Sequence, residues 1–353
     1  MREAKPESKD LPFGGMSVVL MGDYGQLPPV KDKAIFERVQ TEGFRAKGCL
    51  TYQLFDSVIE FDQVMRQSDS DQNQFRDILH KQGEGQLTLD DWKILEKRDL
   101  QQVSEEEKDD FKHSAVKLCA TNRKLKSFNI RNLRSLSSPK AILKAKCTGT
   151  YQAKTASASA AGGLQYCTVI AEGCKVMLTR NLWKEAGLVN GSIGFVHKIV
   201  YKPGKSPCNE DLPELVYCRF EEYQGPPLFN EYPKVVPIGP QMATWMDGKT
   251  SCSRKQIPLV PAYSITIHKS QGMTMDKVII DLGEKEFSVG LSYTAMSRVK
   301  RIQNLAFDPM PSLKRLTQFS NWKVFKERIE EDKRLKKLED KTVVEYQMSI
   351  CDY

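Results

Sequence analysis

The sequence predicts an α/β protein whose parallel sheet is interrupted by a small all-β module. Three apolar runs predict the sheet: Met16–Met21 (MSVVLM), Ala115–Ala120 (AVKLCA) and Lys277–Leu282 (KVIIDL). Short continuous runs of this kind suit strands covered on both faces. A change of texture predicts the module. Ten of the seventeen prolines fall in residues 203–261, between short alternating segments such as GFVHKIVY, LVYCRF and KVVPI.

Composition bounds the rest. The chain has 353 residues, room for two or three domains and a sizeable core. Hydrophobic residues at 40% and charged ones at 28% fit a soluble globular protein. No apolar run reaches membrane-spanning length, and the polar start MREAKPESKD does not read as a signal peptide. The nine cysteines include no C-x-x-C pair and there are four scattered histidines, so neither a metal site nor a disulfide framework is expected. The expectation is an intracellular, reduced protein, nuclear if its host is eukaryotic, with no membrane and no structural metal. Net charge is +8, and its placement says more than its sum. No acidic residue occurs between Asp110 and Glu172, while residues 112–146 carry ten Lys or Arg. That basic block suits a polyanion, although a solvated charged face gives the same pattern.

Along the chain, the Met16–Met21 strand runs into Gly22-Asp23-Tyr24-Gly25-Gln26-Leu27-Pro28-Pro29-Val30. In open α/β sheets ligands sit beyond the carboxyl ends of strands, so Asp23 and Gln26 stand where a terminal phosphate, its metal or an attacking water could be sensed. A plain turn with a surface aspartate fits equally. Leu50–Gln67 reads as a short amphipathic helix followed by a strand ending at Arg66, whose planar fork suits either a phosphate or a surface ion pair. Asp71–His80 and Leu87–Arg98 have helical apolar spacing. After AVKLCA, Thr121 and Asn122 cap a helix expected to bury Leu125, Phe128, Leu133 and Leu136. Its start is also a potential anion site.

Thr155–Gly163 (TASASAAGG) reads as a mobile low-complexity loop, Cys174–Asn181 as a strand, and Asn190-Gly191 as a hairpin turn. Met246-Asp247-Gly248-Lys249-Thr250 ends like a phosphate loop, but Ala243 stands where its first glycine belongs, and it is rejected. Ile257–Thr274 alternates: Tyr263, Ile265 and Ile267 on one face, Ser264, Thr266 and His268 on the other. It then breaks into Lys269-Ser270-Gln271-Gly272, a cluster of donors suited to phosphate oxygens or simply a glycine turn. Ser292–Val299 reads as a short helix carrying Arg298, Asn304–Phe307 as a last strand, and Phe319–Tyr346 as a charged helix with a solvated face.

Taken in order, GDYGQLPPV, VMRQ, CATN, VMLTRNLW…GLVNGSIGFV, AYSITIHKSQGMT and YTAMSRVK resemble successive motifs of the PIF-type (petite integration frequency) DNA helicases, a RecD-like branch of superfamily 1. The same module occurs in the helicase-transposases of Helitron elements. The match spans roughly residues 11–320.

The resemblance implies two RecA-like lobes of P-loop NTPase type, the first incomplete, with ATP between them and single-stranded DNA across their tops. It divides the chain into a first-lobe remnant (1–56), a second lobe (57–182 and 258–320), an inserted small β-barrel module (183–257) and a charged helix (321–353). It implies that Gly22, Gln26, Arg66, Gln271, Gly272 and Arg298 face the nucleotide, with Asp23, Gln26, Arg66 and Arg298 catalytic. Pro28, Thr121, Asn122, Ser264, Thr266, His268 and Lys269 would grip DNA. A complete member also carries a G-x-x-x-x-G-K-[ST] loop and an Asp-Glu strand that holds Mg²⁺. This sequence has neither. The expectation is therefore the carboxyl-terminal part of a monomeric 5′–3′ helicase that needs a missing N-terminal helicase segment, ATP and Mg²⁺. The alternative is a non-catalytic DNA-binding remnant.

Overall fold

In the computed structural model, which describes residues 5–30, 32–37, 43–206 and 211–351, the chain divides into two units. The first comprises residues 1–108, 274–276 and 282–353; the second comprises 109–273 and 277–281.

The first unit begins with turns and extended chain, then α1 (Phe44–Tyr52), α2 (Asn73–Gly83) and α3 (Leu89–Glu96). Phe75, Ile78 and Leu79 of α2 and Leu95 of α3 are buried, as helical spacing predicts. α3 opens with a capping box: the Thr88 hydroxyl accepts from Asp91 N, and the Asp91 carboxylate accepts from Thr88 N. α4 (Glu105–Ser114) leads into the second unit.

There, β1 (Val116–Cys119) is buried along its whole length and is followed by α5 (Asn122–Ser135), capped by the Thr121 hydroxyl. The next elements are β2 (Lys140–Lys144), β3 (Lys146–Thr148), α6 (Gln152–Thr155), β4 (Cys167–Ala171), β5 (Lys175–Leu178), β6 (Ile193–Val200), β7 (Leu215–Arg219) and β8 (Val235–Ile238). They are followed by β9 (Gln241–Asp247), β10 (Thr250–Gln256), β11 (Leu259–Pro261), β12 (Ser264–Thr266) and β13 (Val278–Asp281). β12, β1 and β13 form the expected parallel sheet, with Lys117 opposite Ser264 and Leu118 opposite Ile280. The remaining strands make antiparallel sheets, β11-β5-β6-β7-β8, β3-β10-β9 and β2-β4. The larger of these draws β5 and β11 from outside residues 183–257. Returning to the first unit, the chain adds α7 (Leu291–Met296), β14 (Leu305–Phe307), α8 (Leu313–Thr317) and the long α9 (Lys323–Cys351).

Four expectations are corrected. Met16–Met21 is not a strand: it has no regular structure, with Val19 83% and Met21 87% exposed. A parallel strand is buried by its neighbours, and among the described residues none pairs with this one. Nor is there a strand ahead of Arg66. Residues 57–64 have no regular structure, and α9 side chains take backbone donors there: Thr342 Oγ1 accepts from Val58 N at 3.0 Å and Glu339 Oε1 from Glu60 N at 2.8 Å.

The inner face of α5 is not wholly apolar. Only Leu133 of its four predicted core residues is fully buried, and Asn129 joins it. The Asn129 amide donates to Ser264 O at 3.0 Å and accepts from Ser264 N at 2.8 Å, locking the helix onto β12. Finally, Thr155–Gly163 is no loose loop. Ala161 is buried, and the fully buried Arg254 of β10 donates to Leu164 O, Ala153 O, Lys154 O and Ala156 O, gathering the turn.

The rejected phosphate-loop look-alike is a hairpin turn between β9 and β10 with Gly248 at φ +60°. Arg254→Met keeps much of the stem but strands those carbonyls. Thermal and denaturant unfolding should show a loss of at least about 2 kcal/mol, because an orphaned buried acceptor costs about 1–3 kcal/mol. An unchanged midpoint would show that the arginine does not hold the turn.

Candidate functional site

In the first unit, the Gly22–Leu27 loop closes on itself. Asp23 Oδ1 accepts from Gly25 N at 2.8 Å, Asp23 Oδ2 accepts from the Gln26 amide at 3.0 Å, and Gln26 N donates to Asp23 O. Close packing fixes the loop. A Cβ on Gly25 would lie 3.3 Å from the Tyr293 ring, and one on Gly290 would lie 2.5 Å from the carbonyls of Gly25 and Gln26. Gly290 also has φ +82°, so glycine is required at this position where α7 begins, while Gly25 packs tightly on the Tyr293 ring.

Arg66 and Arg298 meet here. Arg66 Nε donates to Thr274 Oγ1 at 3.0 Å and its Nη1 to Ser297 O at 2.8 Å. The adjacent Gln67, buried, donates to Val299 O at 2.6 Å. This Arg-Gln pair holds the backbone on both sides of Arg298. Arg298, 1% exposed, donates to Thr294 O and to Ser297 Oγ, each at 2.7 Å. Burial pulls the Arg298 guanidinium down to about 10 and the positive charge of Arg66 pulls it the same way, while Tyr293 and Asp23 oppose them. Burial lowers Arg66 too. Burial pushes the Tyr293 phenol up to about 12, with Asp23 adding to it. Two partly desolvated guanidiniums, with Asp23 offsetting only the charge of Arg298, leave the cluster short of negative charge.

Asp23 is the carboxylate at this site, and both its oxygens already hold internal donors. By itself it is no magnesium cage, since Mg²⁺ takes near-octahedral oxygen ligands. Among the described residues, no group of three or more His, Cys, Asp or Glu is placed to hold a metal.

In the second unit, sheet register assembles the other residues. Cys119 of β1 lies opposite Thr266 of β12, so both strands end together. That edge presents Thr121 and Asn122 at the start of α5, Thr266 at the end of β12, and His268 and Lys269 beyond it. The chain after Thr266 is a 3₁₀ turn (Ile267–Ser270), not further strand, capped by Thr266 Oγ1 accepting from Lys269 N at 3.3 Å. His268 is partly buried, which lowers its pKa and favours the neutral ring at pH 7. Gln271 is exposed, and Gly272 takes φ +78°, the left-handed conformation that selects glycine.

Ser264 is not at this edge. It is 1% exposed and its hydroxyl donates to Leu125 O at 3.1 Å. Gly22 is exposed with open space around it, and Pro28 is half-buried. Sequence reasoning missed Tyr293, Gly290, Gln67 and Asn129. Tyr293 lies inside the YTAMSRVK segment five residues before Arg298, and Gln67 inside VMRQ immediately after Arg66. Nothing in the sequence marks Asn129.

Comparison with known proteins bears on family and fold. The family model for PIF1-like helicases matches residues 1–93. The ATP-dependent DNA helicase PIF1 of Xenopus laevis is 30% identical over 307 residues, covering 85% of this chain and 42% of the relative. The chain thus spans less than half the length of that relative. The crystal structure of Pif1 helicase from Candida albicans superimposes with a TM-score of 0.66 at 26% identity, over 92% of this chain and 70% of that one. Pif1 helicase from Bacteroides, in complex with ADP-AlF3 and single-stranded DNA, shares the fold with a TM-score of 0.57 at 20% identity, over 87% of this chain and 65% of that one. The fold is thus of the α/β type with RecA-like lobes found in superfamily 1 helicases. Within that class, the chain belongs to the PIF1-like helicase family.

Proposed function

We propose that the chain is the carboxyl-terminal part of an ATP-dependent 5′–3′ DNA helicase and does not hydrolyse ATP alone. The observation that carries this reading is the gathering of Asp23, Gln26, Arg66 and Arg298 around Tyr293 in one unit. Gln26 senses the terminal phosphate, and the two arginines neutralise charge that develops as it is transferred.

The Thr121–Asn122 and Thr266–Lys269 edge grips the backbone of a single strand, and Gln271 and Gly272 relay that grip toward the nucleotide. The lobe boundaries at 56/57, 182/183, 257/258 and 320/321 belong to this proposal, as do the β-barrel character of the insert, a single-copy protein and a nuclear setting in a eukaryote. The β- and γ-phosphates still need a phosphate loop, and magnesium needs carboxylates beyond Asp23. Both would come from an upstream segment. No described helix is long and apolar enough to cross a membrane.

A DNA-stimulated ATPase assay tests the reading. The chain alone should release phosphate at the background rate. The chain joined behind the phosphate-loop segment of a PIF1-like relative should turn over. Hydrolysis by the chain alone would overturn the proposal. A joined protein that binds DNA without hydrolysis would favour the non-catalytic remnant, the reading that the missing phosphate-loop motif supports.

A further inference from the structure

α9 reads from sequence as a charged helix with a solvated face, yet it makes buried contacts with the Gly22–Leu27 loop's own support. Tyr24, inside that loop, has its hydroxyl 2.7 Å from the Tyr52 hydroxyl, and Tyr52 donates to Glu331 Oε1 of α9 at 2.6 Å. A phenol has one proton. Since Tyr52 gives its proton to Glu331, Tyr24 is the donor to Tyr52, and the direction of the chain is fixed. Tyr52 is 7% exposed at the end of α1.

Glu331 is held in turn by Arg334, whose Nε lies 3.1 and 3.0 Å from its two oxygens and whose guanidinium stands 5.5 Å from the Tyr52 ring centroid. A second connection runs beside the first. Arg328 of α9 donates to Gly83 O at 2.6 Å and to Glu84 at 2.7 Å, and a Cβ on Gly83 would touch the same Tyr293 ring that packs on Gly25. The helix therefore meets the loop from two sides, through Tyr52 and through the Gly83–Tyr293 contact.

We propose that α9 sets the conformation of the Asp23–Gln26 loop through a relay of Tyr24, Tyr52 and Glu331, with Tyr52 as the positioning residue. Hydrogen bonds in series away from water polarise one another, so the relay loses strength as a unit when any member is removed. As a control of phosphate sensing, the relay rests on the function proposed above; as a mechanical link it does not. It also gives the carboxyl-terminal helix a route to the nucleotide site. Anything that lifts α9, such as a partner or a modification near Glu331, would loosen the sensing loop.

Hydrogen exchange on the 353-residue chain without nucleotide tests the link. Y52F, which keeps the ring, should speed exchange of the Tyr24–Gln26 amides by about tenfold or more, the loss expected from a charge-assisted bond. E331A should do the same while leaving α2 amides unchanged, and alanine preserves the helix. E331Q, which retains an oxygen acceptor, should restore most of the protection. In a Y52F background, E331A should add nothing.

Loop exchange at the wild-type rate in E331A, or losses that add in the double variant, would overturn the relay. A helix that only packs gives additive losses spread through the unit. The nucleotide reading fails separately: in the chain joined behind a phosphate-loop segment, ADP with Mg²⁺ would then leave loop exchange unchanged, whatever the variants show.

Discussion

Arg298→Ala, placed in the chain joined behind a phosphate-loop segment, is expected to cut DNA-stimulated ATP turnover by about 10³-fold or more, the range for an arginine that stabilises phosphoryl-transfer charge. The geometry favours a loss in kcat over a loss in substrate binding. Arg298 is buried, and its guanidinium is aimed by Thr294 O and Ser297 Oγ, so its position is set before any ligand arrives. A preorganised cation acts most strongly where charge develops, and an interaction made mainly in the transition state lowers kcat while KM stays nearly level. Arg298→Lys should recover little, because an ammonium cannot reproduce the fork. It also controls for folding, since it keeps the charge and most of the volume. Arg66→Ala should be damaging for two reasons. It removes a second cation, and it leaves the Ser297 carbonyl that helps place Arg298 only the longer 3.4 Å bond from the Gln67 amide. A joined enzyme whose kcat survives Arg298→Ala would remove the arginine from the chemistry.

The sequence shows the parallel sheet and its site-bearing ends clearly, because such strands are locally coded. β1, β12 and β13 are short apolar or alternating runs ending in polar turns, and nothing distant changes that pattern. Ordered motifs likewise mark Asp23, Gln26, Arg66 and Arg298. What stayed hidden depends on partners far along the chain. Met16–Met21 has the composition of a central strand, but burial belongs to the sheet and not to the segment, and here it lies exposed. Thr155–Gly163 looks loose until Arg254, about a hundred residues on, gathers the Ala156 carbonyl and those of Ala153 and Leu164 on either side of it. Asn129 sits mid-helix as an unremarkable polar residue, yet it satisfies both backbone groups of Ser264. Long-range hydrogen bonds of this sort leave no periodic trace. The same holds for Tyr52, whose two partners lie in segments with no shared pattern.

Single-stranded DNA should bind this chain with a steep salt dependence, weakening about a hundredfold between roughly 50 and 200 mM salt if about five phosphates are neutralised. Placement of charge supports a number of that order. Arg123, Lys126, Arg131 and Arg134 are exposed along α5, and Lys269 stands at the neighbouring strand end. Lys124 counts for less, because Asp281 already pairs with it at 2.8 Å. His268 is neutral at pH 7 by the direction of its shift and releases no counterion. Thr121, Asn122 and Thr266 add neutral donors that position the backbone without steepening the salt slope.

Lys269→Ala should therefore flatten the log–log slope by about 0.7, one phosphate's share for a single strand, whereas Thr266→Ala should weaken binding at every salt and leave the slope alone. Fluorescence anisotropy with a labelled oligonucleotide separates the two. Ser264→Ala should change neither slope nor affinity beyond what a loosened α5 contact costs, because its hydroxyl is spent on Leu125 O. Affinity indifferent to salt would leave the second unit's basic surface without a nucleic-acid role and turn attention to its antiparallel sheets as a protein-binding scaffold.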